Sequence, residues 1–358
     1  GTTSAISSTK AAADGASTLN VIGGNVNIHA NHLSKFGGTV DSTQASLAGG
    51  SGAELYHTVV SNVDAHIGNN TNLNAANLTI DAQNRTLNDF APANNSAQEH
   101  AWNVKSASGG LASLPAGGAT IKINHGITNA SIGNDSAVHL LTSGASPLST
   151  LTMSSHSDIV SKQKVKIDSG GAVALADADI KTTAVSKTTL SVGDRASVRV
   201  DKGDIMMNNW GSADIDNSAA ATTYGLAGAP SGDITINYIG ENKAVIGTNA
   251  RVEVTDGINP VDGTDPTHGS IAIAAGVDQN GADGLLKFNA ILDIFNKTAI
   301  PIPASPNPTI NVNSSGSIAV KSSNANFTAG NEEGVRAAGD ITISASRGAI
   351  DANAVGTG

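Results

Sequence analysis

Apolar residues recur at every second position through most of this chain, in short runs that open on a glycine. Gly203-Asp204-Ile205-Met206-Met207, Gly232-Asp233-Ile234-Thr235-Ile236, Gly269-Ser270-Ile271-Ala272-Ile273, Gly316-Ser317-Ile318-Ala319-Val320 and Gly339-Asp340-Ile341-Thr342-Ile343 carry the pattern. Gly24-Asn25-Val26-Asn27-Ile28 and Gly118-Ala119-Thr120-Ile121-Lys122-Ile123 are looser copies. A period of two sends alternate side chains to opposite faces, which is the signature of a β-strand and not of a helix. Strands this short, each preceded by Gly-Asp, Gly-Ser or Gly-Asn, imply a tight corner at every end.

A second module repeats at longer range. Ile67-Gly68-Asn69-Asn70-Thr71-Asn72-Leu73, Ile132-Gly133-Asn134-Asp135-Ser136-Ala137-Val138, Val192-Gly193-Asp194-Arg195-Ala196-Ser197-Val198 and Ile246-Gly247-Thr248-Asn249-Ala250-Arg251-Val252 are copies of one another. Their glycines, Gly68, Gly133, Gly193 and Gly247, are 65, 60 and 54 residues apart, the mark of a repeated unit that tolerates insertions. These glycines are expected at corners where a side chain would clash or φ is positive. Ile67, Val138, Val198 and Val252 are expected to face the core at equivalent positions of stacked strands. With roughly 20 to 25 residues per turn, the first unit, about 35 residues from Gly49 to Ala82, holds roughly one and a half to two rungs of a solenoid. The whole chain then makes about 14 to 17 rungs and is about 70 to 80 Å long at the strand spacing. The stretch at Tyr224-Gly225-Leu226-Ala227-Gly228-Ala229-Pro230 echoes Gly110-Leu111-Ala112-Ser113-Leu114-Pro115 at a distance of 115 residues, so two units form a longer repeat.

Two segments interrupt the alternation. Residues 84–109 are polar, with Pro92, Asn94-Asn95 and an isolated Trp102, and read as a loop leaving the solenoid. Residues 277–309 read as a helix followed by a Pro-rich loop. Leu285, Phe288, Leu292 and Phe295 fall near the i, i+3, i+4 and i+7 positions of an amphipathic helix over 283–296, and Pro301, Pro303, Pro306 and Pro308 oppose both helix and ladder. The apolar face of that helix either covers the side of the solenoid or makes a lateral contact with another chain.

Composition narrows the kind of core. In 358 residues, aromatics are 3% and charged residues 14%, while glycine numbers 40. A chain so poor in large rings closes over a narrow core of Val, Ile, Leu and Ala, which stacked rungs provide. The formal charge of −10, with no run of Lys or Arg, argues against nucleic acid as a partner. The absence of cysteine excludes disulfides and thiolate metal sites. No apolar run is long enough to cross a bilayer as a helix. Gly1-Thr2-Thr3-Ser4 does not open a signal peptide, and the chain reads as a segment of something longer.

Chemical motifs are sparse. Gly49-Gly50-Ser51-Gly52-Ala53-Glu54-Leu55 approaches a calcium-binding nonapeptide, but Glu stands where Asp belongs and no tandem copy follows, so it reads as a turn. Asp256, Asp262, Asp265 and His268 crowd a Gly- and Pro-rich loop; they offer oxygen ligands for calcium, and solvated carboxylates are the simpler account. His29 and His32 lack the helical zinc-binding spacing, and the histidines are expected on the surface or in turns. Asp177 with Asp179, and Asp214 with Asp216, place paired carboxylates on one strand face, as polysaccharide-cleaving β-helices require. Beside them stand only Lys181 and Trp210, so no catalytic residue, cofactor or metal is assigned. Trp102, Trp210, Tyr224 and Tyr238 are the rings available to a carbohydrate-binding surface.

Taken together, the Gly-Gly-x-x-x-Ile-x-Ile strands, the Ile-Gly-Asn/Asp-x-Ala-x-Val module and the Gly-Asp-Ile-Thr-Ile strand resemble the repetitive exoproteins of Gram-negative bacteria, the filamentous-haemagglutinin-like and leukotoxin-like filamentous adhesins. The resemblance covers roughly residues 19–83, 110–276 and 310–350. It implies an all-β chain folded as a right-handed parallel β-helix, secreted to the cell surface, with adhesive or biofilm-matrix roles and no catalytic residues. The expectation is therefore a non-catalytic segment of an extracellular filament that continues in a longer chain or self-associates end to end, with a host or matrix surface as a further partner. A polysaccharide-binding or polysaccharide-cleaving β-helix is the alternative.

Overall fold

The computed structural model describes residues 1–88, 102–141, 148–255, 269–304, 306–321, 334–337 and 340–357. Its described residues contain strands and no helix, and all the strands belong to one sheet. Every ladder is parallel and joins a segment to another far along the chain, from 52 positions on at Asn25↔Asn77 to 83 at Arg251↔Gly334. Ser149–Val192 pairs with Gly203–Ile246 at a constant offset of 54 along almost its whole length. Parallel strands cannot be joined by hairpins, so the chain must travel a full circuit before it lies beside itself again. This pairing is compatible with a β-solenoid whose turns lie on one another as layers.

The columns that run through the layers can be followed residue by residue. Val26, Leu78, Leu151, Ile205, Ile271 and Ile341 form one of them. Six layers at about 4.8 Å make a stack of roughly 25 to 30 Å, and this corrects the 14 to 17 rungs expected from the sequence. The turn is wide: 52 residues or more close it, not 20 to 25. The Gly-opened strands that suggested many small rungs lie on different sides of the same wide turn. Asp204, Ser270 and Asp340 open strands of one column, Asp233 stacks on Asp179 in another, and Gly316 stacks on Asn242 in a third.

Inward-facing residues fill two apolar clusters. One contains Ile67, Leu73, Ile132, Val138, Val192, Val198, Ile246 and Val252; the other contains Ile121, Ile180, Ile234, Phe288 and Leu292. All four residues expected to share a column are buried, but they belong to two. Val138, Val198 and Val252 stack with Leu73, whereas Ile67 stacks with Ile132, Val192 and Ile246 on the other side of the corner.

Between the apolar clusters lies a buried polar seam. Ser61 donates to Asn84 Oδ1 at 2.8 Å, Thr188 donates to Asn242 Oδ1 at 2.7 Å, and Asn209 Nδ2 donates to Lys243 O at 2.7 Å. His125 sits in the seam with Thr86 Oγ1 2.7 Å from Nε2 and Ser157 Oγ 2.7 Å from Nδ1. Buried polar groups cost free energy unless hydrogen-bonded, and these bonds meet most of that requirement across the narrow waist, Asn209 Oδ1 being left without a protein partner. Placing His125 and His57 inside the stack corrects the expectation that the histidines lie at the surface.

The helix expected over 283–296 is a strand, Leu285–Pro301, paired with the 213–228 stretch of the layer below. Leu286, Phe288, Ala290, Leu292 and Ile294 alternate inward along it and are buried. Phe288 and Leu292 therefore fill the core and are not free for a lateral contact; Leu285 and Phe295 remain exposed. The short Ala290 hid the period of two, and the ladder to the layer below overrides the weak helical pattern. Pro301 and Pro308 both lie in the ladder, opposite Gly228 and Ile234. Pro308 belongs to an outer layer, where a strand is paired on one side only and a missing N–H is tolerated.

The loop expected over 84–109 is narrower than that. Asn72–Asn88 and Val104–Ser113 are strands, with Asn84, Thr86 and Asn88 buried, while 89–101 lies outside the described residues.

Candidate functional site

The corner after each Ile-Gly module is the most regular local structure. A Cβ on Gly133, Gly193 or Gly247 would lie 2.6 or 2.7 Å from a backbone nitrogen of the layer below, and one on Gly68 would lie 3.1 Å from Asp14 Cα. The constraint at these glycines is close approach. Positive φ falls two residues later, at Asn70, Asp135, Arg195 and Asn249, and at Ala16 in the first layer. Between the two, a side-chain ladder climbs the corner: Asn69 Oδ1 accepts from Asn134 N, Asn134 Oδ1 from Asp194 N, and Asp194 Oδ1 from Thr248 N, each at 2.8 Å. Arg195 is bidentate to Asp135 one layer below at 2.6 and 2.7 Å, which holds the Asp135 carboxyl below its usual range. The corner is a structural device, since each of these ladder groups is satisfied within the stack.

A more open arrangement surrounds Gly118. Glu54, Gly118, Asp179 and Asp233 share one column, and Tyr56, Thr120, Lys181 and Thr235 share the next one along the outer face. With no side chain at Gly118, the layer of Ala116 and Thr120 forms the floor of a groove of about 390 Å³. Glu54 and Tyr56 stand on one side of it, and Asp177, Asp179 and Lys181 on the other. Tyr56 donates its hydroxyl to Glu54 Oε2 at 2.7 Å and leaves its ring partly exposed. Ser231 Oγ donates to Asp177 Oδ1 at 2.7 Å, and Asp233 N donates to Asp179 Oδ1 at 2.9 Å. Burial, with Asp177 adding to it, raises the Asp179 carboxyl above its usual range. The groove offers an aromatic face, carboxylate acceptors and one ammonium donor, the equipment that holds a hydroxyl-rich ligand.

Sequence reading found one wall of this groove and missed the other. Asp177, Asp179 and Lys181 lie close in the chain, but Glu54 and Tyr56 are more than a hundred residues away and reach the site only through two layers of stacking. Asp214 stacks on Lys287, and Asp216 accepts from Asn289 Nδ2 at 2.9 Å. Of the rings singled out, Tyr238 is buried against Phe288 at 5.2 Å, and burial pushes its hydroxyl up to about 12. Trp210 stacks on His156 at 4.7 Å, Trp102 is half-buried, and Tyr224 is partly exposed beneath Lys297 at 5.4 Å. His29 is exposed, and His32 lies 2.9 and 2.8 Å from the hydroxyls of Ser7 and Ser34. The Asp256, Asp262, Asp265 and His268 loop lies outside the described residues. Among the described residues, no three His, Asp or Glu side chains converge as a metal site, and no helix is long and apolar enough to cross a membrane. No protein-family model, curated protein or solved structure matches this chain.

Proposed function

We propose that this chain is a non-catalytic structural and adhesive segment of an extracellular bacterial filament or surface adhesin, built as a right-handed β-helix. The hand follows from general sterics, since crossovers between parallel strands of one sheet are right-handed in nearly all known cases. The observation that carries the reading is the state of the two outer layers. Ile341, Ile343 and Ile350 are 45%, 51% and 40% exposed, whereas Ile271, Ile273 and Leu286, which they cover, are at most 1% exposed. At the opposite face, Leu19 and Val26 are half-buried above the fully buried Leu73 and Leu78. These rows expose core-type side chains together with unpaired ladder groups, which a further layer would cover and pair. On this reading the stack is extended at both faces, by more of the same polypeptide or by a second copy placed end to end, a contact that grows instead of closing.

Secretion, the cell surface or biofilm matrix as location, and a Gram-negative source belong to the same proposal and rest on the family resemblance. Electron microscopy of the native material tests it: filaments or long rods are expected, and dispersed particles one six-layer stack long would overturn it.

The groove at Gly118 favours a second reading, a polysaccharide-binding surface without turnover. Retention of the protein on alginate, pectin or a glycosaminoglycan, lost on Tyr56→Ala, is expected from it. Release of reducing or unsaturated ends that stops on Asp179→Asn would instead make the protein an enzyme.

A further inference from the structure

At one side of the stack, the same place in five successive layers interrupts the ladder. Gly171 pairs with Gly110 and Gly225, and Val173 with Ala112 and Ala227, but the residue between them is skipped. The skip repeats one layer on, where Gly225 pairs with Thr298 and Ala227 with Ile300. In the lower layers Leu111 N and Ala112 N both donate to Leu47 O, the bonding of a bulge. A Cβ on Gly110 or Gly225 would run into the carbonyl of the layer below, and both have positive φ. Glycine is therefore required there, and the residue after it is thrown outward.

Those outward residues are apolar. Leu47, Leu111 and Leu226 are 79%, 60% and 56% exposed, and Val173 and Ile300 beside them are 50% and 58% exposed. They form a ridge along the axis of the stack. Next to it runs a groove of about 530 Å³ whose walls include Leu114, Pro115, Leu175 and Pro230. The five segments that make this side, 45–52, 109–116, 170–176, 224–231 and 298–304, contain no Asp, Glu, Lys, Arg or His. At roughly 180 Å² for a fully exposed branched residue, the ridge and the groove's two leucines present about 700 Å² of apolar surface. That is above the usual largest patch of a monomer and close to the area each partner gives to a stable interface.

We propose that this stripe is a side-to-side interface with a second copy of the chain, related by a two-fold axis so that each ridge enters the other's groove. Three observations select that occupant. The area matches one half of a standard interface. The rows repeat at the strand spacing of about 4.8 Å, and another stack of the same layers presents rows with the same repeat. A chain of net charge −10 repels its own copies across most of its surface, whereas on this side the ridge segments carry no charge and Asp177 alone among the residues lining the groove does, its carboxylate accepting from Ser231. The contact is isologous and closes on two copies, so it is independent of end-to-end growth.

The absence of cysteine makes the test direct. Chains carrying Leu226→Cys are mixed with chains carrying Leu175→Cys and oxidised; a disulfide-linked pair of the two chains is expected. Chains carrying Asn72→Cys, an exposed position at the corner of the Ile67 to Leu73 module, are expected to give none with Leu175→Cys. In sedimentation velocity, the Leu111→Asp/Leu226→Asp double variant is expected to halve the mass of the lateral species while keeping the wild-type circular dichroism. Ile343→Asp, in an outer layer, is expected to leave the cross-link intact, which separates this contact from end-to-end stacking. Equal cross-linking at position 72, or no change in mass on the double aspartate substitution, would overturn the interface.

Discussion

Acid should loosen this protein through one imidazole. His125 is fully buried between the hydroxyls of Thr86 and Ser157, and burial, with the nearby His32 adding a smaller repulsion, lowers its pKa from 6.5 to about 3. The folded state therefore binds this proton far more weakly than the unfolded chain. Its stabilising contribution is complete above pH 6.5, declines as pH falls below that value, and is gone below about pH 3. At 1.36 kcal/mol per unit, the loss is about 2 kcal/mol by pH 5 and about 3 kcal/mol by pH 4. His32, His57 and His156 are also lowered by burial and act in the same direction, so the comparison must isolate one residue. Glutamine offers a donor and an acceptor to Thr86 and Ser157 without titrating. Urea unfolding of wild type and His125→Gln at pH 7.5 and 5 should show the wild type losing about 2 kcal/mol more over that interval. In parallel, the His125 ring resonance should stay unshifted in nuclear magnetic resonance from pH 7.5 to 4.5. Equal losses in both proteins, or a ring that titrates near pH 6.5, would refute the claim that the seam holds a dry, neutral histidine.

Gly193→Ala should destabilise by about 2 to 4 kcal/mol, because its Cβ would lie 2.6 Å from Asn134 N, while Gly170→Ala, with nothing within 4 Å, should stay within about 0.5 kcal/mol; thermal melts compare the two. Phe288→Ala should cost about 3 to 5 kcal/mol and Leu285→Ala less than about 1, and near-equal costs in denaturant titrations would contradict the strand register of Leu285–Pro301.

The sequence shows strands plainly, because residues such as Ile234 and Ile236 alternate without ambiguity. It shows the turn less plainly. The spacing of Gly68, Gly133, Gly193 and Gly247 is the offset between layers, yet it divides as readily into smaller rungs because strands on different sides of a turn look alike. Leu285 to Phe295 satisfies helical spacing and strand alternation together, and only the partner strand in the layer below decides between them. The polar seam was invisible for a related reason: Ser61, Asn84 and His125 look like outward residues until the opposite wall supplies their hydrogen bonds. Half of the Gly118 groove was legible as Asp177 and Asp179. Tyr56 was not, since nothing local announces which distant residue a layer will bring alongside.

The ladder of Asn69, Asn134, Asp194 and Thr248 gives the stack a means of copying alignment. Each side-chain oxygen points at one backbone N–H of the next layer, so a layer laid down one residue out of step loses that bond. The same slip carries the next residue onto the Gly193 position, where a Cβ does not fit, and turns every inward side chain outward. One bond is worth about 1 kcal/mol, but the three faults arrive together, and each finished layer is the mould against which the next is checked. Alignment is thus settled anew at every circuit, and turns of unequal length can follow one another without the mismatch accumulating.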